Sequence, residues 1–275
     1  MIANKMDLHT HSHFSDGELS PTELVLRAKE SGIGMLALSD HDSMGGVPEV
    51  MEAGRTYGLT VVPAVEFDTE FPQEMHILGY CVDGDEAGIK EGLRQCIERR
   101  DARNEEMIKK LYAAGYDIRR YIEASHGTVT RANFAAALTE AGYVPDFKTG
   151  LALVKEGGPG YVQAVRHSPQ HVIELILGAG GLPVLAHPCH LNGNVHAIVR
   201  ELVGFGLKGI EAYYGTATPG QTARDVSLAA QHGLFISCGS DFHGEGRLHS
   251  GLGCAWQDVP ALEQTRQMLL KRLGE

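Results

Sequence analysis

The stretch Asp7-Leu8-His9-Thr10-His11-Ser12-His13-Phe14-Ser15-Asp16-Gly17 sets three imidazoles and two carboxylates within eleven residues. Neutral imidazole and ionised carboxylate are ligands for divalent ions such as manganese, iron and zinc. Alternate side chains of an extended segment share a face, so His9, His11 and His13 would point at one place. A His-x-His pair alone says little. A lone histidine is more often a hydrogen-bonded core residue, and an aspartate at a strand end is often a helix N-cap. The same residue types return, however, at Asp40-His41, Glu66, His76, His187 and Asp241-Phe242-His243. Ten residues could therefore converge: His9, His11, Asp16, Asp40, His41, Glu66, His76, His187, Asp241 and His243. So many titratable groups would be too costly to bury together without a cation. Asp40 and Asp42 keep capping or orienting roles as equal alternatives.

The elements that must position these residues follow from periodicity and caps. Residues 6–11 read as a buried strand. Ser20-Pro21-Thr22-Glu23 offers an N-cap serine, a proline at the first helical position and a glutamate three residues on, so a helix should run to about residue 31 and end at Gly32. An apolar run at 35–39 precedes Asp40-His41-Asp42, a helix over 47–57 leads through Gly58 to a strand at 59–65 ending at Glu66, and a strand at 75–80 begins with His76. Residues 86–115 are helical and polar, and 116–167 lose the alternation of strand and helix, which marks 87–170 as a mainly helical insertion. Ser168-Pro169 then starts a helix that closes at Gly178-Ala179-Gly180-Gly181. Strands at 182–186, 209–213 and 234–238 follow, with helices over 195–205, 221–232 and 261–273.

Seven such units imply an α/β fold of parallel strands with covering helices. Chemical groups sit at the ends of strands scattered through the whole chain. An open sheet would leave them in a row, whereas a closed barrel gathers them in one mouth, which favours a barrel of about seven strands. Residues 1–86 and 171–275 would form that barrel and 87–170 a cap over it.

Composition narrows the function classes. A chain of 275 residues with 43% apolar and 21% charged residues is ordinary for a soluble globular protein. A net charge of -11 and a pI near 5.7 argue against a broad footprint for duplex nucleic acid, although bound divalent ions could attract anions locally. The start lacks an apolar leader and no run is long enough to span a membrane, so a cytoplasmic location is expected. Cys81, Cys96, Cys189, Cys238 and Cys254 stand apart with no C-x-x-C pair and are read as reduced. Cys189 and Cys238 lie near the histidine motifs, where a thiol more often packs than ligates.

Within the insertion, Arg99-Arg100-Asp101-Ala102-Arg103-Asn104 and Met107 lie on a helix, with Arg100, Arg103 and Met107 sharing a face. Such a stretch is either a solvated charged helix or a phosphate clamp, since guanidinium forks suit phosphate. Val129-Thr130-Arg131-Ala132-Asn133-Phe134 and Gly157-Gly158-Pro159-Gly160-Tyr161-Val162 add a second arginine motif and a rigid loop, for which capping and turn roles are the plain alternatives.

Asp-Leu-His-Thr-His-Ser with Ser-Asp-Gly, then Ser-Asp-His-Asp, Val-Glu, His-Ile-Leu-Gly-Tyr, Ala-His-Pro and Gly-Ser-Asp-Phe-His resemble the motifs of the PHP (polymerase and histidinol phosphatase) family in order and spacing across residues 6–243. The resemblance implies a distorted (β/α)7 barrel that holds two or three divalent metals, manganese foremost with iron or zinc as alternatives, and hydrolyses phosphoesters. Carried over by motif, His9, His11, Glu66 and Asp241 would hold one metal. Glu66 would bridge to a second held by His76 and His187, and Asp16, His41 and His243 would hold a third. Asp16, His41, Glu66 and Asp241 would then stand nearest the chemistry, in which a water shared between two metals attacks phosphorus in line.

The insertion motifs resemble the bacterial branch of that family containing nucleoside 3',5'-bisphosphate phosphatases and 5'-to-3' exoribonucleases acting on short 5'-phosphorylated RNA. That implies substrate contacts at Arg100, Arg103, Asn104, Arg131 and Asn133. The branch often carries a basic residue directly before the loop proline, where this chain has Gly158, with Lys155 three residues away. Alternatives are a cyclic phosphodiesterase or a sugar or histidinol phosphate phosphatase of the same family and, from another class, a metal-stabilised interaction module without catalysis. Hydrolysis of a C–N bond is a further one, though related metal barrels often bridge their metals with a carboxylated lysine where this chain has Glu66. The expected partner is a small phosphorylated molecule, with no membrane.

Overall fold

The computed structural model describes residues 5–125, 127–245 and 251–274. Strand β1 (Lys5–Thr10) is buried from Met6 onward. Helix α1 (Pro21–Glu30) starts where the sequence signals it: Ser20 Oγ accepts from the Glu23 N–H at 3.2 Å and Glu23 Oε2 accepts from the Ser20 N–H at 2.8 Å. Strand β2 (Ile33–Leu38) is buried throughout, and α2 (Val47–Tyr57) stops at Gly58, whose φ of 68° suits glycine. Strands β3 (Thr60–Asp68) and β4 (His76–Tyr80) precede four consecutive helices, α3 (Ala87–Ala113), α4 (Arg119–Glu123), α5 (Arg131–Glu140) and α6 (Phe147–Val154). Then come α7 (Pro169–Gly178), β5 (Leu182–Leu185), α8 (Val195–Phe205), β6 (Gly209–Tyr214), α9 (Pro219–His232), β7 (Phe235–Gly239) and α10 (Pro260–Leu273).

The seven strands form one sheet in sequence order. All neighbours are parallel except that β4 runs antiparallel to both β3 and β5, which corrects the expectation of seven parallel units. The cause is the short connection 69–75. Parallel neighbours need a crossover of about a dozen residues or more, whereas here the Thr69 N–H and hydroxyl both reach Met75 O, at 3.1 and 2.8 Å, and turn the chain back as a hairpin. The inversion matters for function. It brings the first residue of β4, His76, opposite Asp68 at the C-terminal end of β3.

The sheet curls until its edges meet. The His11 N–H donates to Phe242 O and the Asp241 N–H to His9 O, each at 2.9 Å. Below that seam the buried Asp7 carboxylate accepts from Ser240 N at 2.9 Å, Ser240 Oγ at 2.6 Å and Gly253 N at 2.7 Å. The result is a nearly closed α/β barrel. Its main apolar cluster runs from Met6 and Leu8 through Val65, Ile77 and Val184 to Leu262 and Leu269 on α10, and a second joins α1 and α2 to β2 and β3. Residues 107–154 carry a separate cluster around Met107, Leu111, Phe134, Leu138 and Val154. No helix among the described residues is long and apolar enough to cross a membrane, and no disulfide joins the cysteines there.

Asp7→Ala would strand three donors in the seam. The unfolding free energy of the metal-free chain, measured in urea, should fall by about 3 kcal/mol. A loss below about 0.5 kcal/mol, the usual scale of an indifferent surface substitution, would show that closure does not depend on this carboxylate.

Candidate metal centre

The barrel mouth collects side chains from nearly every strand. His9 is the last residue but one of β1 and His11 follows the strand, His41 follows β2, Glu66 and Asp68 lie on β3, His76 opens β4, His187 follows β5, and Asp241 and His243 follow β7. His13 does not join them. Strand β1 ends at Thr10, so the alternation expected to aim His13 inward is lost, and its ring lies against Phe14 instead, centroids 5.0 Å apart.

Three groups offer one ligand atom per residue with all atoms within 4.8 Å of one another: His9, His11, Glu66 and Asp241; His11, Asp16, His41 and His243; and His41, Glu66 and His76. Glu66 connects them. Its Oε2 lies 3.2 Å from His9 Nε2, 3.3 Å from His11 Nε2 and 3.2 Å from His41 Nδ1, while Oε1 lies 2.9 Å from His76 Nδ1 and 3.1 Å from His187 Nε2. Asp241 Oδ1 is 3.3 Å from His9 Nε2 and 3.0 Å from His11 Nε2, and Asp16 Oδ1 is 3.1 Å from His243 Nε2. All nine expected ligands are thus brought together, eight of them buried and the His41 side chain 11% exposed. His9 Nε2, His11 Nε2, His41 Nδ1 and Glu66 Oε2 are close to one another yet have no hydrogen-bond partner. Buried polar atoms are rarely left so. A mixed imidazole and carboxylate set with such inward-facing atoms fits divalent manganese, iron or zinc.

Electrostatics agree with a site built for cations. Burial disfavours an imidazolium at His9, but Glu66, Glu211 and Asp241 outweigh it and raise the pKa well above the ordinary value. Burial is likewise overcome at His11, raised to about 10 by Asp241 and Glu66, and at His76, raised to about 9 by Asp68 and Glu66. Burial also opposes ionisation of Asp16, Glu66 and Asp241, yet the surrounding histidines hold all three carboxyls well below the usual range.

Several supporting residues escape sequence reasoning. Glu211 in β6 lies 3.0 and 3.2 Å from His9 Nδ1 through its two oxygens and accepts from the His187 N–H at 2.7 Å, so one carboxylate orients two of these histidines. Its signal in the sequence is a lone acid inside the apolar run 209–213. Tyr214 donates to Asp241 Oδ2 at 2.8 Å. Gly239 is needed where it stands, because a Cβ there would sit 2.2 Å from both His9 Cβ and Glu211 Oε1. His187 and Asp241 hold φ at 28° and 55°, a costly region for a side chain and one that functional sites often occupy.

Asp40 and Asp42 take orienting roles. Asp40 accepts from Ser12 N at 2.7 Å and from the Ser12 and Ser15 hydroxyls at 2.6 Å each, while Asp42 binds Arg100 through Nε at 2.7 Å and Nη2 at 2.6 Å. Cys238 packs in the barrel core, and Cys189, its thiol pushed up to about 12 by burial and then by Glu211, sits in the turn after His187. Neither cysteine belongs to a ligand group.

The mouth opens into a cleft of about 910 Å³ whose far wall comes from α3, α5, α6 and the segment 155–166. Arg100, Arg103 and Arg131 line it, but differently. Arg100 is neutralised by Asp42 and by Asp68 at 3.0 Å. Arg103 has no carboxylate partner among the described residues. Its fork is held by Asn104 Oδ1 at 3.1 and 2.6 Å and Val129 O at 3.3 Å, and burial with the nearby Arg100 and Arg131 pushes its pKa down to about 9. Arg131 donates to Val162 O at 3.0 Å and lies 5.5 Å from the Tyr161 ring centroid. Asn104 and Asn133 do not line the cleft: Asn104 braces Arg103, and Asn133 closes the cap of α5 with Thr130. A basic side chain at 158 has no room, since a Cβ there would lie 2.4 Å from Leu153 O, and Lys155 lines the cleft instead.

Comparison with known proteins adds three observations. The family model described as PHP domain matches residues 7–141. The chain is 33% identical over 266 residues to a 3',5'-nucleoside bisphosphate phosphatase of Chromobacterium violaceum, covering 94% of this chain and 93% of that one, and 34% identical over 250 residues to the 5'-3' exoribonuclease Rnm of Salmonella typhimurium, covering 86% and 84%. Among solved structures, an amidohydrolase from Chromobacterium violaceum with bound sulfate and no metal matches with a TM-score of 0.89 at 30% identity, covering 98% of this chain and 96% of that one.

Raised imidazole pKa values make metal loading a proton-releasing event, because ligating histidines must be neutral. In the metal-free chain, the stability given by charged His11 and His76 is complete below the ordinary imidazole value of 6.5 and lost as pH rises through about 9 and about 10. Titration calorimetry at pH 7 in buffers of different ionisation enthalpy should therefore show proton release on manganese binding, with affinity weakening as pH falls. Heat independent of the buffer would contradict protonated imidazoles in the metal-free site.

Proposed function

The chain belongs to the PHP family and is a metal-dependent phosphoester hydrolase, and we propose that it acts on a nucleoside 3',5'-bisphosphate or on a short 5'-phosphorylated RNA. The observation that carries this reading is one cleft with two walls suited to phosphate, the ligand groups on the barrel once they hold divalent ions and Arg103 with Arg131 on the insertion. A substrate with a single phosphate would engage only one wall. The two relatives, by their names, act on substrates that bear a phosphate besides the bond broken or extend beyond it.

In this reading His9, His11, Glu66 and Asp241 hold one divalent ion, Glu66, His76 and His187 a second, and Asp16, His41 and His243 a third. Two or three manganese ions are the expected complement. When bound, such ions polarise the phosphoryl oxygens, neutralise their charge and activate water for in-line displacement. The chain's own residues supply geometry around that chemistry. Glu66 keeps the groups in fixed relation through its two oxygens, Glu211 fixes the ring of His9, and Tyr214 holds the outer oxygen of Asp241. Arg103 and Arg131 bind and orient the second phosphate, an anion that would offset the burial and, after it, the repulsion from neighbouring arginines (Arg100 and Arg131 on Arg103, Arg166 on Arg131) that lower their pKa values. Residues 87–170 act as the cap that carries this specificity.

The test is metal analysis of the purified chain beside phosphate release from 3',5'-bisphosphoadenosine, 5'-phosphorylated RNA, a cyclic ribose phosphate and histidinol phosphate. Chelation should abolish turnover, and manganese should restore it. Arg103→Ala and Arg131→Ala should each lower kcat/KM for the bisphosphate by about 10- to 100-fold, the scale of a lost charged hydrogen bond, with little change for a monophosphate. Full metal occupancy with no turnover of any phosphate ester would sink the reading and favour an interaction module instead.

A further inference from the structure

One buried carboxylate at the centre is outside the nine ligands. Asp68 follows Glu66 by two positions on β3, so the two side chains leave the same face of the strand. Its two oxygens face different neighbours. Oδ2 lies 3.0 Å from Arg100 Nη2 and 3.3 Å from Arg166 Nη2, whereas Oδ1 lies 3.1 Å from His41 Nδ1 and 3.4 Å from His76 Nε2. The side chain is only 9% exposed, and Oδ1 has no hydrogen-bond partner. That condition, buried, close to other donor atoms and without a hydrogen bond, is shared by His9 Nε2, His11 Nε2, His41 Nδ1 and Glu66 Oε2. Each of those residues belongs to a ligand group; Asp42 Oδ1 also lacks a hydrogen bond but faces no imidazole among the described residues.

Charge neutralisation of the arginines does not account for this placement. Asp42 also neutralises Arg100, at 2.6 Å, and it has no imidazole within ion-pair distance among the described residues. Asp68 lies against two imidazoles of the centre and at the same time lines the cleft.

We propose that Asp68 is a further metal ligand through Oδ1, on the side of the centre formed by His41, Glu66 and His76, while Oδ2 holds Arg100 and Arg166. This rests on the metal-dependent reading above and deepens it. A fourth carboxylate beside Asp16, Glu66 and Asp241 makes the centre harder, which suits manganese better than zinc. It also ties the metal side of the cleft to its arginine side through one residue. An anion that draws Arg166 away leaves Asp68 with more charge to give the metal.

The experiment uses the whole chain stripped of metal and titrated with manganese chloride, with affinity from calorimetry and bound equivalents from elemental analysis. Wild-type protein that binds no manganese would overturn the metal-dependent reading itself and the Asp68 assignment with it. If it binds, Asp68→Asn should lose one equivalent or weaken one class of site by about tenfold or more, the scale on which removing a supporting or ligating group acts. Asp42→Asn, which removes the other carboxylate on Arg100, should leave manganese affinity within about twofold. Unchanged binding in Asp68→Asn would overturn the assignment alone, as would an equal loss in Asp42→Asn, which would trace the effect to Arg100 and the insertion. Should Asp68→Asn fail to fold with Arg100 left to Asp42 alone, the double variant Asp68→Asn/Arg100→Gln carries the same comparison against Arg100→Gln.

Discussion

Charge buried at the mouth of the barrel is the constraint on which the rest of the structure depends. Carboxylates and imidazoles taken out of water are tolerated only when something compensates them. In the metal-free chain the imidazoles supply that compensation, with His9, His11 and His76 holding protons against the cost of burial. A divalent ion held there would replace the protons and satisfy the inward-facing atoms that have no hydrogen bond. The same set of side chains thus has two self-consistent charge states, and the scaffold must keep it in place through both. The positive φ of His187 and Asp241, the absent side chain of Gly239 and the Asp7 seam all serve that end.

Much of this is legible in the residue order, for identifiable reasons. The residues gathered at the mouth sit at or near strand ends, so a polar residue closing an apolar run marks both a boundary and a candidate site position, as at Glu66 and His187. Caps are local chemistry, and Ser20 with Glu23 and the glycine at 58 therefore mark their helices unaided. Strand direction is different. An apolar run such as 76–80 looks the same whichever way it pairs, and only the shortness of 69–75 betrays the hairpin. Glu211 shows in the sequence only as a lone acid inside an apolar run and Asp68 not at all, because a carboxylate gains meaning only when the residues across the barrel are known. His13 looks like a ligand on spacing alone because nothing local announces that β1 ends at Thr10.

The insertion shows the same limit for specificity. Sequence identifies a cluster of arginines, but which of them can meet an anion depends on carboxylates distant in the chain. Arg100 is matched by Asp42 and Asp68, whereas among the described residues Arg103 is held only by an amide and a carbonyl, with Arg131 on a carbonyl and beside a tyrosine ring. Equal residue types on one helix face therefore divide into a structural cation and an available one. Asn104 and Asn133, polar and well placed by spacing, are used up by the local hydrogen bonds that fix the arginine beside them and the helix that follows.

The seam between β1 and β7 also sets an order in time. The group of His9, His11, Glu66 and Asp241 draws on both sides of that seam, so no segment shorter than 9–241 contains it. On a ribosome the two histidines emerge more than two hundred residues before the aspartate that completes their set. Until then they can offer no more than a loose chelate to whatever ion is at hand. Selective metal capture by this group would therefore belong to the finished barrel, and a chain that stalls or is cut before β7 docks would have the donors but not the discrimination.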